Sequence, residues 1–363
     1  MSQRLIQVGT GGQGEQWCRR FLPPNVEDGL IEVVAAVDVD ERAHVHAIEG
    51  LGLSEDECYT DVREAFAEHD ADCCTVVVPP AYHEEIVDAA LEYGLDILSE
   101  KPIADTLEAS VRIATKVEHA GAKMGVTMSH RFDRDKTTLR RALRSGVYGP
   151  LDYLVCRFTC NCRSYGSWGA FRHDIEDTLM VEGAVHHLDI LADLADARCE
   201  TLYAQTWLPE WGEYAGDAQA LVQLTFENGT RATYEGAKTN AAGLNGWGQE
   251  YVRAECRDAT LVLDERELEC YAYDPEMEAT FGESVQGTSE DLPLADQEKW
   301  ANTWLVEAFV AWLEGGEPMA TNVTDNLQSM ALITAAIESS RTGQPVAVQE
   351  LLEETVDRVS LEQ

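Results

Sequence analysis

Three groups of residues in this chain have the types and spacing that chemistry uses. The first is Gly9-Thr10-Gly11-Gly12-Gln13-Gly14, a G-x-G-x-x-G whose glycines let the backbone approach a pyrophosphate resting on the positive end of a helix. Asp38 follows 24 residues after Gly14, where a carboxylate accepts both ribose hydroxyls of an adenosine and repels a 2′-phosphate. That favours NAD over NADP. Two competing readings are that Asp38 or Asp40 only caps the next helix, and that Arg42 softens the rejection of a phosphate.

The second group is Ser99-Glu100-Lys101-Pro102. Only six of the 27 basic residues are Lys, and none precedes Lys101. Pro102 biases Lys101 toward an extended backbone and so aims an ammonium that Arg does not replace. The third group is Glu182-Gly183-Ala184-Val185-His186-His187-Leu188-Asp189. On a helix, Glu182, His186 and Asp189 share one face, and a carboxylate one turn from a His supports general-base chemistry. His187 lies on another face and is assigned to packing. Weaker substrate-binding candidates are His130, Arg131 and Asp189, and Trp168 and Arg172 ahead of the helix.

The elements that must position these groups are legible as two grammars. Short Val-rich strands alternate with helices from Arg4 to Met128, and the glycine motif stands directly between a strand and a helix start. This predicts a doubly wound parallel sheet, a Rossmann domain over residues 1–128. After Gly149-Pro150 longer strands with period-two alternation take over, and Asn228-Gly229 marks a hairpin. Residues 129–363 therefore read as an α+β domain with an open, mainly antiparallel sheet. Helices over 179–194, 300–314 and 325–342 complete it.

Composition excludes other classes. The chain has 363 residues, 45% of them apolar, and a formal charge of −39. It can bury a large core, and it repels phosphate backbones and anionic membranes. Acidity with Lys scarcity fits a salt-adapted protein whose carboxylate surface stays hydrated in brine. The ten Cys are irregularly spaced and read as reduced thiols. Cys156, Cys160 and Cys162 share a strand face but lack the pairing of a metal site, and none is expected. No signal segment or membrane span is evident, which predicts a cytoplasmic location. The sheet of the second domain predicts a homodimer or homotetramer.

GTGGQG near the start, VVVPPAYHEEIVDAALEYGLDILSEKPIADTLEAS in the middle and the E-x-x-x-H-x-x-D helix together resemble the Gfo/Idh/MocA oxidoreductase family. Pro79-Pro80 and His83, then Glu100-Lys101-Pro102, are the most specific elements. The resemblance implies a nicotinamide cofactor served by Gly9, Gly11, Gly12, Gln13, Gly14, Asp38, Pro79, His83, Glu100 and Lys101. It also implies a sugar or polyol substrate at the domain junction, and a catalytic Lys, carboxylate and His at Lys101, Glu182 and His186. The family commonly carries Asp where this chain has Glu182. A regulator that binds dinucleotide without turnover, and a reductase of another carbonyl or imine, remain alternatives on the same framework.

Overall fold

The structure, a computed structural model, describes residues 2–276 and 289–362. It divides into two compact units, Met1–Ser129 with Glu298–Met330 and Glu354–Gln363, and His130–Gln297 with Ala331–Glu353. Residues 298–330 and 354–363 thus belong to the first unit, whereas the sequence assigns them to the second domain. Long-range polar contacts explain the difference. Lys299 Nζ donates to Asn25 Oδ1 at 3.0 Å, Asn25 Nδ2 donates to the carbonyl of Thr303 at 3.0 Å, and Lys123 Nζ donates to that of Trp312 at 2.7 Å. No local pattern announces such pairings.

The first unit holds a six-stranded sheet of β1 (Gln3–Val8), β2 (Ile31–Val37), β3 (Cys58–Tyr59), β4 (Cys73–Val76), β5 (Asp96–Ser99) and β6 (Met124–Val126), in the order β3-β2-β1-β4-β5-β6. Every pairing is parallel. A parallel sheet covered on both faces buries its strands, and all four residues of β4 are buried, with the hydroxyl of Thr75 donating to Gln7 Oε1 at 2.6 Å. Strand order reverses between β1 and β4, and ligands of open α/β sheets bind at the carboxyl ends beside such a switch point. The glycine motif follows β1, Asp38 follows β2, and Glu100 and Lys101 follow β5.

The second unit holds β7 (Leu151–Thr159), β8 (Cys199–Trp207), β9 (Gln219–Phe226), β10 (Arg231–Ala237), β11 (Tyr251–Cys256), β12 (Ala259–Asp264), β13 (Glu267–Ala272), β14 (Ser289–Asp291) and β15 (Val346–Ala347). They form one sheet ordered β14-β13-β12-β11-β7-β10-β9-β8-β15, antiparallel except where β10 runs parallel to β7. Asn228-Gly229 turns β9 into β10, with Gly229 at φ +87°. Alternate residues of β10, Ala232 and Tyr234, are buried, while Arg231, Thr233 and Glu235 are exposed. The outer face carries Tyr153, Val155 and Leu221 beside Arg157 and Glu235, so it is mixed rather than a continuous apolar patch. Strand β7 ends at Thr159, so Cys160 and Cys162 lie past it, still laddered to β10 through amide bonds to Ala237 and Lys238.

The predicted helix over 179–194 is present in two parts: a π-helical turn Leu179–Ala184 and an α-helix Val185–Ala195.

Candidate functional site

The glycine loop is shaped by close approach. At Gly9 (φ +87°) a Cβ would stand 2.0 Å from the carbonyl oxygen of Val77, and at Gly14 one would stand 2.2 Å from that of Gly9. These two glycines pack the loop against β4 and the helical run beginning at Gln13. Gly12, at φ +56°, would meet nothing within 4 Å, and Gly12 and Gln13 are exposed. A tight inner wall and a bare outer backbone make the cradle that a pyrophosphate fits.

Asp38 closes this cradle from β2. Its Oδ2 accepts the amides of Thr10 at 2.8 Å and Gly11 at 2.9 Å, and its Oδ1 accepts that of Asp40 at 3.0 Å. Asp40, not Asp38, caps the following turn, accepting the amide of Arg42. Arg42 is engaged with Asp40 in turn, Nε at 2.8 Å and Nη2 at 2.7 Å.

The residues around Lys101 divide into supports and tip. His83 is fully buried, its Nε2 2.9 Å from the carbonyl of Val78 and its Nδ1 3.1 Å from that of Ile103. Burial lowers its pKa. Glu100 is 9% exposed, and its Oε1 accepts the indole N–H of Trp17 at 2.8 Å. Both residues, grouped by the sequence with the cofactor contacts, therefore brace the loop from inside. Pro79 is exposed and Lys101 half-buried.

In the second unit two of the sequence candidates, Glu182 and Asp189, are paired with arginines. Glu182 Oε2 accepts from Arg172 Nε at 2.9 Å. Asp189 is gripped by Arg131, with Nε 2.7 Å from Oδ2. Half-buried Arg131 and buried Asp189 thus form an ion pair. The His186 ring lies flat on that of His130, centroids 4.1 Å apart and planes 12° apart, with the edge of Trp247 at 5.4 Å. Trp168 meets Trp247 edge-on at 5.2 Å. Trp247 remains 42% exposed, presenting an apolar face beside a buried imidazole.

Residues 4–128 match the profile of an oxidoreductase family described by an NAD-binding Rossmann fold, and residues 140–348 match that family's C-terminal alpha/beta domain. The chain belongs to the Gfo/Idh/MocA oxidoreductase family. It is 51% identical over 354 residues to the uncharacterized protein y4oX of Sinorhizobium fredii, covering 97% of this chain and 98% of that one. It is 28% identical over 200 residues to inositol 2-dehydrogenase of Corynebacterium glutamicum, covering 54% of this chain and 55% of that one. Its fold is shared with a crystal structure of an oxidoreductase from Agrobacterium radiobacter in complex with NAD+, L-tartaric acid and magnesium, at a TM-score of 0.82 and 18% identity over 97% of this chain and 100% of that one. Among the described residues, no helix of this oxidoreductase is long and apolar enough to cross a membrane.

Several residues around the His186 ring of this Gfo/Idh/MocA oxidoreductase escaped the sequence reading. Glu250, Lys136 and Trp247 were not singled out, and His187, assigned to packing, makes a polar bond from Nδ1 to the Tyr234 hydroxyl at 2.7 Å. One signal was available. Lys scarcity points equally at Lys136 and Lys238, which are 1% and 0% exposed. Lys238 Nζ donates to Thr178 Oγ1 at 2.7 Å. Nearby, a hydrogen bond from Cys160 lowers the pKa of Cys162 to about 7, with the Lys238 charge assisting against partial burial.

Proposed function

We propose that this oxidoreductase transfers a hydride between a nicotinamide and the hydroxyl-bearing carbon of a sugar, polyol or related compound. One observation carries the reading: a buried imidazole, His186, is held flat against His130 beside a half-exposed Trp247, in a chain of an NAD-binding family. An indole face next to a proton acceptor suits the C–H surface of a polyol, with polar groups fixing orientation. The named inositol dehydrogenase relative supports the same substrate class.

The bound nicotinamide supplies the hydride acceptor at C4. His186 takes the hydroxyl proton as general base. The Lys101 ammonium donates a hydrogen bond to the developing alkoxide and stabilises its charge. Glu182 acts in this reading as the carboxylate partner of His186, its own position held by Arg172. The glycine loop and Asp38 hold the dinucleotide. NAD is preferred over NADP because the Asp38 carboxylate would face a 2′-phosphate while Arg42, the nearest cation in sequence, is already paired with Asp40. The protein acts as a homodimer or homotetramer in a salt-rich cytoplasm. The −39 charge supports the salt adaptation.

Purified protein with NAD or NADP and a panel of sugars and polyols, followed at the absorbance band of reduced nicotinamide, tests the proposal. On the substrate found, Lys101→Ala and His186→Ala should each lower kcat by two or more orders of magnitude, about 3 kcal/mol, while NAD affinity barely moves. Glu182→Gln should cost less, because an amide oxygen still accepts from Arg172. Near-native turnover in both single variants overturns the chemistry. NAD binding with no turnover on any candidate hands the case to the regulator reading.

A further inference from the structure

Beneath the stacked rings of His186 and His130 lies a cluster that hydride transfer does not use. It consists of His130, in the turn Ser129–Phe132, His187 on the helix Val185–Ala195, and Glu250 immediately before β11. Their relative exposures are 7%, 0% and 0%. His130 Nδ1 and His187 Nε2 stand 3.4 and 3.3 Å from Glu250 Oε1, and one donor atom from each residue lies within 4.8 Å of the others. Both nitrogens face the carboxylate, but neither contact has the geometry of a good hydrogen bond. A buried polar atom left unpaired costs about 1–3 kcal/mol and calls for an explanation.

Tetrahedral geometry supplies one. With metal–ligand bonds of about 2.0–2.2 Å, neighbouring ligands stand about 3.3–3.6 Å apart, which matches both measured separations. Atoms facing away from the centre are already held, as metal ligands usually are. The Tyr234 hydroxyl is 2.7 Å from His187 Nδ1, and Lys136 Nζ is 2.8 Å from Glu250 Oε2. The Lys136 charge does not bar a cation, because three carboxylates face it: Glu250, Asp135 at 3.1 Å and Asp133 at 3.7 Å. Even with Arg266 acting on Asp133, the carboxylates outnumber the cations.

We propose that His130 Nδ1, His187 Nε2 and Glu250 Oε1 bind a divalent transition-metal ion of the zinc class. Two imidazoles and one carboxylate, with one position left over, form a donor set that zinc accepts. The ion fixes the ring of His130, and so the surface on which His186 rests. The consequence for His186 rests on the function proposed above; the binding does not.

The test uses the full chain, stripped with chelator, gel-filtered, titrated with Zn2+ or Co2+ in the absence of dinucleotide, and desalted. About one equivalent of metal should be retained, and Co2+ should give the visible absorption of a four-coordinate site. The melting temperature should rise with metal. Glu250→Gln and His130→Asn should each drop retention to about a tenth of an equivalent, whereas Cys160→Ser with Cys162→Ser should leave it unchanged. Should Glu250→Gln fail to fold, His130→Asn, at the more exposed ring, decides. Wild-type retention below about a tenth of an equivalent, or retention that survives His130→Asn, overturns the proposal and leaves Glu250 to its ion pair with Lys136. Turnover is not read, so failure of the dehydrogenase reading would not alter the outcome.

Discussion

Replacing Lys136 by Met tests how far a buried ion pair supports the second unit. Lys136 and Glu250 are 1% and 0% exposed. Burial works against the ammonium, but Glu250, Asp135 and Asp133 raise its pKa above the ordinary lysine value. At an effective dielectric of about 20, Coulomb's law gives about 6 kcal/mol of attraction at the 2.8 Å separation from Glu250. The 3.1 Å contact with Asp135 gives about 5 kcal/mol more. Desolvation offsets much of that gain, so the intact pair contributes modestly, yet removal of one partner strands a charge and costs about 3–5 kcal/mol. Lys136→Met and Glu250→Gln should each lose that much. The double variant should lose at least about 2 kcal/mol less than the sum. Urea unfolding in chelator, followed by circular dichroism and tryptophan fluorescence, measures all four corners of the cycle. Single losses under about 1 kcal/mol, or additivity within about 0.5 kcal/mol, refute the reasoning.

Two glycines of the cofactor loop should respond oppositely. Gly9→Ala drives a Cβ to 2.0 Å from a backbone carbonyl and should abolish NAD binding and lower the melting temperature sharply; Gly12→Ala meets only its own strain of about 1–3 kcal/mol. A Gly9→Ala melt within about 2 °C of wild type would reject the packing argument. Cys162 should alkylate first among the ten thiols at pH 7. A thiolate fraction ~50-fold above the ordinary value, offset by ~10-fold weaker nucleophilicity, leaves roughly fivefold. Peptide mapping checks this, and Cys160→Ala should slow it. The melting temperature should climb between about 0.1 and 2 M KCl, and light scattering in high salt should give a multiple of the 40.1 kDa chain.

What the sequence made legible was local. β4 is buried throughout and Asn228-Gly229 sits between two alternating strands, so short-range pattern suffices for both sheets. The glycine motif could be placed because a strand precedes it and a helical run follows. The return of residues 298–330 to the first unit depends on Lys299 meeting Asn25 across the chain, which no window sees. The Arg131 partner of Asp189 comes from another segment, and helical spacing supplies neighbours on one helix only. Lys scarcity drew attention to Lys101, yet Lys136 and Lys238 carry the same signal and are the more buried.

The bonds that Asp38 accepts from Thr10, Gly11 and Asp40 make the proposed cofactor selector and the glycine loop one mechanical part. Engineering for a different dinucleotide therefore cannot be done by trading Asp38 alone. Such an exchange removes the acceptor of three backbone donors and loosens the loop for either cofactor. A successful conversion must bring a compensating acceptor near Thr10 and Gly11 along with the new phosphate ligand. Natural relatives that made the change should carry both alterations together.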